Sequence, residues 1–125
     1  MGEKKKKLLI VDDEPNIRLL IRRIFEQDYV NIEAENGRKA VESALRNLPD
    51  IILMDIMMPE SDGLAALSEM KANGHTRAIP VIMLTGVGHE LNERLAKSLG
   101  AKGYMRKPIN PQELIDVVSK LLEGH

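Results

Sequence analysis

Residues 8–13 read Leu8-Leu9-Ile10-Val11-Asp12-Asp13, and residues 51–55 read Ile51-Ile52-Leu53-Met54-Asp55. Each is a short, continuously apolar run closed by carboxylate. A run of this length reads as a strand buried on both faces, and the acid that ends it stands at the rim of a sheet. Working outward, residues 81–84 form a third apolar run, closed by Thr85. A shorter run, Gly103–Arg106, leads into Lys107-Pro108. Four strand ends therefore present three acids, one hydroxyl and one ammonium.

Between the runs the apolar residues recur at helical spacing. Ile17, Leu20, Ile21, Ile24 and Phe25 follow Pro15-Asn16; Val41, Ala44, Leu45 and Leu48 mark a second helix; Leu64, Leu67 and Met70 mark a third. A narrow stripe of Leu91, Leu95 and Leu99 marks a fourth, and Leu114, Ile115, Val118, Leu121 and Leu122 mark a fifth. Residues 31–35 alternate, with Ile32 and Ala34 apolar, and read as a half-exposed strand. Asn36-Gly37, Pro49-Asp50, Asn73-Gly74 and Gly100 punctuate the pattern, Gly100 as a helix C-cap. Five strands alternating with five helices predict an α/β fold, a parallel sheet with helices on both faces. The most apolar strands belong at its centre, and right-handed crossovers then give the order 2-1-3-4-5. Its topological switch lies between strands one and three, where open α/β sheets bind ligands at the carboxyl ends of the strands. Asp12, Asp13 and Asp55 fall at those ends.

The 125 residues suffice for one domain, with a core over about residues 8–122 and a basic tail over 1–7. Hydrophobic residues make up 43% and charged residues 30%, the balance of a soluble globular chain. A net charge of −1 gives no electrostatic basis for nucleic-acid binding by this domain. No apolar stretch approaches the roughly 20 residues that span a bilayer. Lys4–Lys7 leads straight into a strand rather than a signal peptide, and the absence of cysteine excludes disulfides and thiolate metal sites. A cytoplasmic setting is expected.

Two carboxylates about 4 Å apart repel by about 4 kcal/mol at an effective dielectric of about 20. Three at one rim need a cation. No histidine falls at these strand ends: His75, His89 and His125 read as loop and terminal residues. All-oxygen ligation selects a hard ion, Mg²⁺ first, with Mn²⁺ able to substitute. Asp50, Glu60 and Asp62 read as capping or loop acids, and Met54, Met70, Met83 and Met105 as core filler. Lys107, fixed before Pro108, is placed to reach the same rim, and Pro108 is a candidate for a cis peptide in a tight strand-to-helix turn. Thr85 can cap the following helix or meet a bound phosphoryl oxygen.

Taken with the Met58-Pro59 and Asp62-Gly63 loop and Tyr104, these residues resemble the receiver domain of two-component response regulators over essentially the whole chain. The resemblance implies a flavodoxin-like (βα)5 three-layer sandwich. It implies that Asp55 is the phosphoacceptor, that Asp13 binds Mg²⁺ directly and Asp12 largely through water, and that the backbone carbonyl of Met57 is a further ligand. Thr85 and Lys107 contact the phosphoryl group, and Tyr104 switches rotamer with Thr85. The donor is a sensor histidine kinase, a histidine phosphotransfer protein or a small acyl phosphate. The output is read on the fourth helix, fifth strand and fifth helix, by a domain or protein that the sequence does not identify. Such a domain catalyses only its own phosphorylation and dephosphorylation, so it is not classed as an enzyme. Met57 and Val87, both apolar, are expected to tune dephosphorylation toward a long-lived state.

One departure concerns the winged-helix subgroup of the family, which often has paired acids just before the switch aromatic. Here those positions are Lys102-Gly103, which sets that subgroup's dimer contact in question. The end soon after the fifth helix reads as a stand-alone receiver or as the first part of a longer chain. A Mg²⁺-dependent phosphatase with an aspartyl-phosphate intermediate is the alternative, but such enzymes usually carry an acid two residues after the nucleophile, where this chain has Met57. A flavin or nucleotide module lacks support, since Asp12-Asp13-Glu14-Pro15 stands where a Gly-rich loop would follow Val11. A phosphorylation-independent pseudo-receiver is disfavoured by the complete set of five residues.

Overall fold

The sheet is built in the expected order. A computed structural model of the chain describes residues 4–56, 58, 63–86 and 90–123. Its elements run β1 (Lys6–Val11), α1 (Pro15–Phe25), β2 (Tyr29–Ala34), α2 (Gly37–Asn47), β3 (Ile51–Asp55), α3 (Gly63–Ala72), β4 (Val81–Thr85), α4 (Glu90–Ser98), β5 (Gly103–Arg106) and α5 (Pro111–Glu123). All strand pairs are parallel and the order is β2-β1-β3-β4-β5. β1 starts earlier than its apolar run because Lys6 and Lys7 pair with Tyr29 and Val30 of β2, which itself lies two residues earlier at its start than the alternation suggests.

Side-chain alternation along the central strands divides the core in two. Leu9, Val11, Ile52, Met54, Val81 and Met83 pack toward α2, α3 and α4. Leu8, Ile10, Ile51, Leu53, Ile82 and Leu84 pack toward α1 and α5, against Ile21, Phe25, Leu114 and Val118. Such strands bury side chains on both faces, which is why their sequences show no polar alternation. The four methionines expected as core filler are buried.

Two helices bury faces other than their leucines suggest. α2 turns Gly37, Ala40 and Ala44 to the sheet, while Leu45 and Leu48 remain 42% and 52% exposed. Small residues let the helix backbone lie close to the sheet, and leucines on that face would hold it off. Leu48 takes the left-handed conformation (φ 46°) that ends the helix, its amide donating to Ala44 O at 2.9 Å. In α4, Ala96 is fully buried and Leu95 is 43% exposed; Leu99 is partly buried, and the Leu91 side chain lies outside the described residues. Gly100 caps α4 as expected, at φ 104°. Its amide reaches Lys97 O (3.1 Å) and that of Ala101 reaches Ala96 O (2.9 Å), the paired bonds of a Schellman motif. Among the described residues no helix is long and apolar enough to cross a membrane.

Candidate functional site

Strand register sets the site. Val11 pairs with Met54, so Asp12 and Asp55 leave adjacent strands at the same height. Asp55 pairs with Leu84 and Thr85 with Arg106, which brings Thr85 and Lys107 to the same rim. The main chains of the last two are joined directly, Lys107 N donating to Thr85 O at 2.6 Å. The Lys107–Pro108 peptide is cis, as the sequence suggests for this turn.

The two core layers also decide from which side each group arrives. Ile10, Leu53 and Met105 belong to the α1–α5 layer, so Asp12, Asp55 and Lys107, each two residues on, continue that side. Met83 belongs to the opposite layer, which puts Thr85 on the α4 side. Tyr104, paired with Met83, packs against that same layer. Thr85 and Tyr104 thus share one face of the sheet end, and Asp12, Asp55 and the lysine share the other.

Asp12, Asp55 and Thr85 are buried, and Asp13 is the most open of the three acids. Lys107 Nζ lies 2.9 Å from Asp12 Oδ2 and 3.3 Å from Asp55 Oδ2. Burial pulls the pKa of this ammonium down, but the hydrogen bond to Asp12 and the charges of Asp55 and Asp12 outweigh burial and leave it above the usual lysine value. The second oxygen of Asp12, Oδ1, accepts from the Glu14 amide at 2.9 Å. Thr85 Oγ1 is buried and finds no hydrogen-bond partner among the described residues. Leaving a buried hydroxyl unmet costs about 1–3 kcal/mol.

Carboxylate oxygens of Asp12, Asp13 and Asp55 lie within 4.8 Å of one another. Opposite ligands of Mg²⁺ stand about 4.2 Å apart at about 2.1 Å per bond, so acids this close are compatible with such an ion after small side-chain adjustments, with waters filling the remaining positions. One ammonium offsets only part of three negative charges, which leaves the cluster a net attractor for a divalent cation. Met57, expected to add its carbonyl, and Val87 both lie outside the described residues, as do Pro59, Glu60, Asp62, His89 and His125. Asp50 keeps to a loop role, accepting from Lys7 N at 2.7 Å, and the exposed His75 bonds through its own amide to Asn73.

Two further residues touch the main chain of the acids. Gly63 lies against the Asp55 main chain, and Arg18 Nη1 donates to Asp12 O at 2.6 Å. The first could be suspected from a glycine placed where a helix begins. The second is one of several arginines on α1, and spacing alone does not single it out.

Residues 8–119 match the family model of the response regulator receiver domain. The chain is 40% identical over 121 residues to the chemotaxis protein CheY of Halobacterium salinarum, covering 94% of this chain and 97% of that protein. It is 39% identical over 117 residues to the transcriptional regulatory protein ResD of Bacillus subtilis, covering 93% of this chain but 48% of ResD, so it spans about half the length of that relative. Among solved structures, chemotaxis protein CheY4 of Vibrio cholerae superposes with a TM-score of 0.89 at 28% identity, over 95% of this chain and 100% of that one.

Proposed function

We propose that this chain, which belongs to the response regulator receiver family, is a phosphoacceptor switch in which Asp55 takes up a phosphoryl group. One observation carries the reading. Lys107 bridges Asp12 and Asp55 beside a buried Thr85 hydroxyl that no described residue meets.

In the transfer, a carboxylate oxygen of Asp55 forms the new O–P bond, in line with the P–N bond of a phosphohistidine or the P–O bond of an acyl phosphate, which breaks. The electron pair leaves with the imidazole nitrogen or the acyl carboxylate. Asp13 directly, Asp12 largely through water, Asp55 and the Met57 carbonyl would hold Mg²⁺, with Mn²⁺ a substitute. Both oxygens of Asp12 are already engaged, by Lys107 and the Glu14 amide, which suits the indirect role. Bound there, the ion would neutralise charge on the transferring phosphoryl oxygens. Lys107 releases Asp55 and follows a phosphoryl oxygen. Thr85 donates its free hydroxyl to another.

The adduct adds about two negative charges at neutral pH. Thr85 moves toward them, and Tyr104, on the same side of the sheet, fills the space that Thr85 leaves. The change is read on the face formed by α4, β5 and α5 by an unidentified output domain or protein. The donor is a sensor histidine kinase, a histidine phosphotransfer protein or a small acyl phosphate, and the setting is cytoplasmic. The unit is a single receiver domain over about residues 8–122.

Intact-mass measurement after incubation with acetyl phosphate and Mg²⁺ tests the reading. One phosphoryl adduct is expected on the wild type and none that is stable on Asp55→Asn, whose amide is a far poorer nucleophile. A full adduct on Asp55→Asn sinks the assignment. Repeated turnover of small phosphates would instead favour the phosphatase.

A further inference from the structure

We propose, on the receiver reading above, that Arg18 is a positioning residue for the metal-binding acids: it fixes the peptide joining Asp12 to Asp13, and Glu33 aims it. The Asp12 carbonyl lies just past the last β1 ladder pairs, Val11 with Ala34 and with Met54. A carbonyl there needs a donor from outside the sheet. Arg18 Nη1 supplies it at 2.6 Å. Because the peptide is planar, holding its oxygen also sets the direction in which the Asp13 α-carbon leaves the strand. On the far side of Asp13, the Glu14 amide is tied back to Asp12 Oδ1 at 2.9 Å. Asp13 is therefore held between two bonds, neither of which it makes itself. Among the described residues its own carboxylate has no hydrogen-bond partner, so its aim is set by its backbone.

Arg18 is itself clamped. Its Nε meets Glu33 Oε1 at 3.1 Å, while Arg22, one turn along α1, holds Glu33 Oε2 at 3.0 Å. The Arg18 side chain is only 16% exposed, so solvent screens this arrangement weakly. A guanidinium can serve the carboxylate with Nε and the carbonyl with Nη1 at once, in one plane. An ammonium on a flexible stem has no such fork.

The sign of the effect separates this role from simple electrostatics. Removing a cation near a Mg²⁺ site should tighten binding if charge alone matters, whereas loss of positioning weakens it. A merely structural tie between α1 and β2 would move stability and leave metal affinity alone.

The test measures Mg²⁺ dissociation constants by titration calorimetry on the full chain for wild type, Arg18→Ala, Arg18→Lys and Glu33→Gln. Urea unfolding in EDTA and metal-free amide NMR spectra are recorded alongside. Arg18→Ala is expected to weaken Mg²⁺ binding by about tenfold or more, the usual cost of losing a group that orients a ligand, and Arg18→Lys to recover little of it. Glu33→Gln should fall between, and the Asp13 and Glu14 amides should shift in all three without metal. Should Arg18→Ala fail to fold, Arg18→Lys gives the deciding value. Mg²⁺ affinity that is unchanged or tighter in a folded Arg18 variant overturns the proposal. A wild-type chain that binds no Mg²⁺ would instead remove the phosphoacceptor reading on which it rests.

Discussion

Gly63 is pressed against the carbonyl of Asp55: a β-carbon at position 63 would lie 2.2 Å from that oxygen and 2.9 Å from the α-carbon of Ile56. The Gly63 amide also donates to Ile56 O at 2.9 Å. The first turn of α3 thus rests on the main chain that carries the acid. Both obstructing atoms are backbone and cannot swing aside. Gly63→Ala must displace either α3 or Asp55, and it is expected to cost about 1–3 kcal/mol of stability, as overpacking does. It should also slow phosphorylation by acetyl phosphate. Urea unfolding and intact-mass kinetics check both, and wild-type values in each would show that the contact is relieved without consequence.

Lys107 couples the stability of the domain to pH and to metal. Its folded-state pKa lies above that of the unfolded chain, raised by Asp12 and Asp55 against the opposing effect of burial. The folded state therefore holds the proton more tightly. That contribution is complete below the ordinary lysine range and fades as pH rises through the folded value. Lys107→Met is expected to lose about 3 kcal/mol at neutral pH without metal, because two buried carboxylates are left without their cation. Mg²⁺ should restore much of that loss and raise the melting temperature more than it does in wild type. The variant should also lose a component of alkaline destabilisation. Melts across pH 7–12 in EDTA, and near neutral pH with Mg²⁺, decide the matter; equal Mg²⁺ shifts in the two proteins would speak against the linkage.

Asp13→Ala should act in the opposite sense. It removes the most open of three clustered acids, and Lys107, paired with Asp12 and Asp55, offsets only part of their mutual repulsion. The metal-free variant is expected to be more stable than wild type by about 1–3 kcal/mol, while Mg²⁺ no longer raises its melting temperature and phosphorylation is lost. An undiminished Mg²⁺ shift in this variant contradicts a ligand role for Asp13.

Much of this site is legible in the sequence because each group ends a strand. Apolar runs locate the strands, the βα alternation orders them, and parallel strands in that order bring their carboxyl ends together. Asp12, Asp55, Thr85 and Lys107 therefore converge whatever the helices do. The helix faces are less legible. Leu45, Leu48 and Leu95 mimic a buried stripe, but α2 approaches the sheet through Gly37, Ala40 and Ala44, and α4 buries Ala96. Hydrophobicity favours leucine inside, whereas close approach favours the small residue, and here approach wins. Contacts such as Arg18 with the Asp12 carbonyl depend on the rotation of α1 over the sheet, which sequence periodicity fixes too coarsely.

Activation is expected to be read at α4, β5 and α5. Thr85 and Tyr104 share the α4 side of the sheet end, and Glu93 of α4 approaches Arg106 of β5 at 3.8 Å. Exposed ion pairs of this length contribute little, and among the α4 side chains described only Ala96 is fully buried. This described part of α4 makes few buried contacts, and few buried contacts let a helix shift at small cost. Amide exchange with and without a beryllofluoride mimic should change most in α4 and β5. Changes confined to α1 and α2 would refute this.

The phosphorylated state should be long-lived, lasting minutes or longer. Its hydrolysis requires a water held in line behind phosphorus, on the side from which the donor leaves. By family resemblance, the side chains placed to orient that water stand two residues after Asp55 and two after Thr85. Here they are Met57 and Val87, of which the first offers only a weak thioether acceptor and the second no polar atom. Loss of such an orienting bond slows hydrolysis by about tenfold for each 1.4 kcal/mol of barrier. Met57→Asn restores an amide at one of the two positions without adding charge beside the metal ligands, so it should shorten the half-life by about tenfold while leaving phosphoryl uptake from acetyl phosphate intact. Following phosphate loss from purified phosphoprotein with Mg²⁺ present measures the half-life, and intact-mass kinetics with acetyl phosphate measure uptake. A wild-type half-life of a few seconds, or an unaltered rate in Met57→Asn, would show that these positions do not set the lifetime.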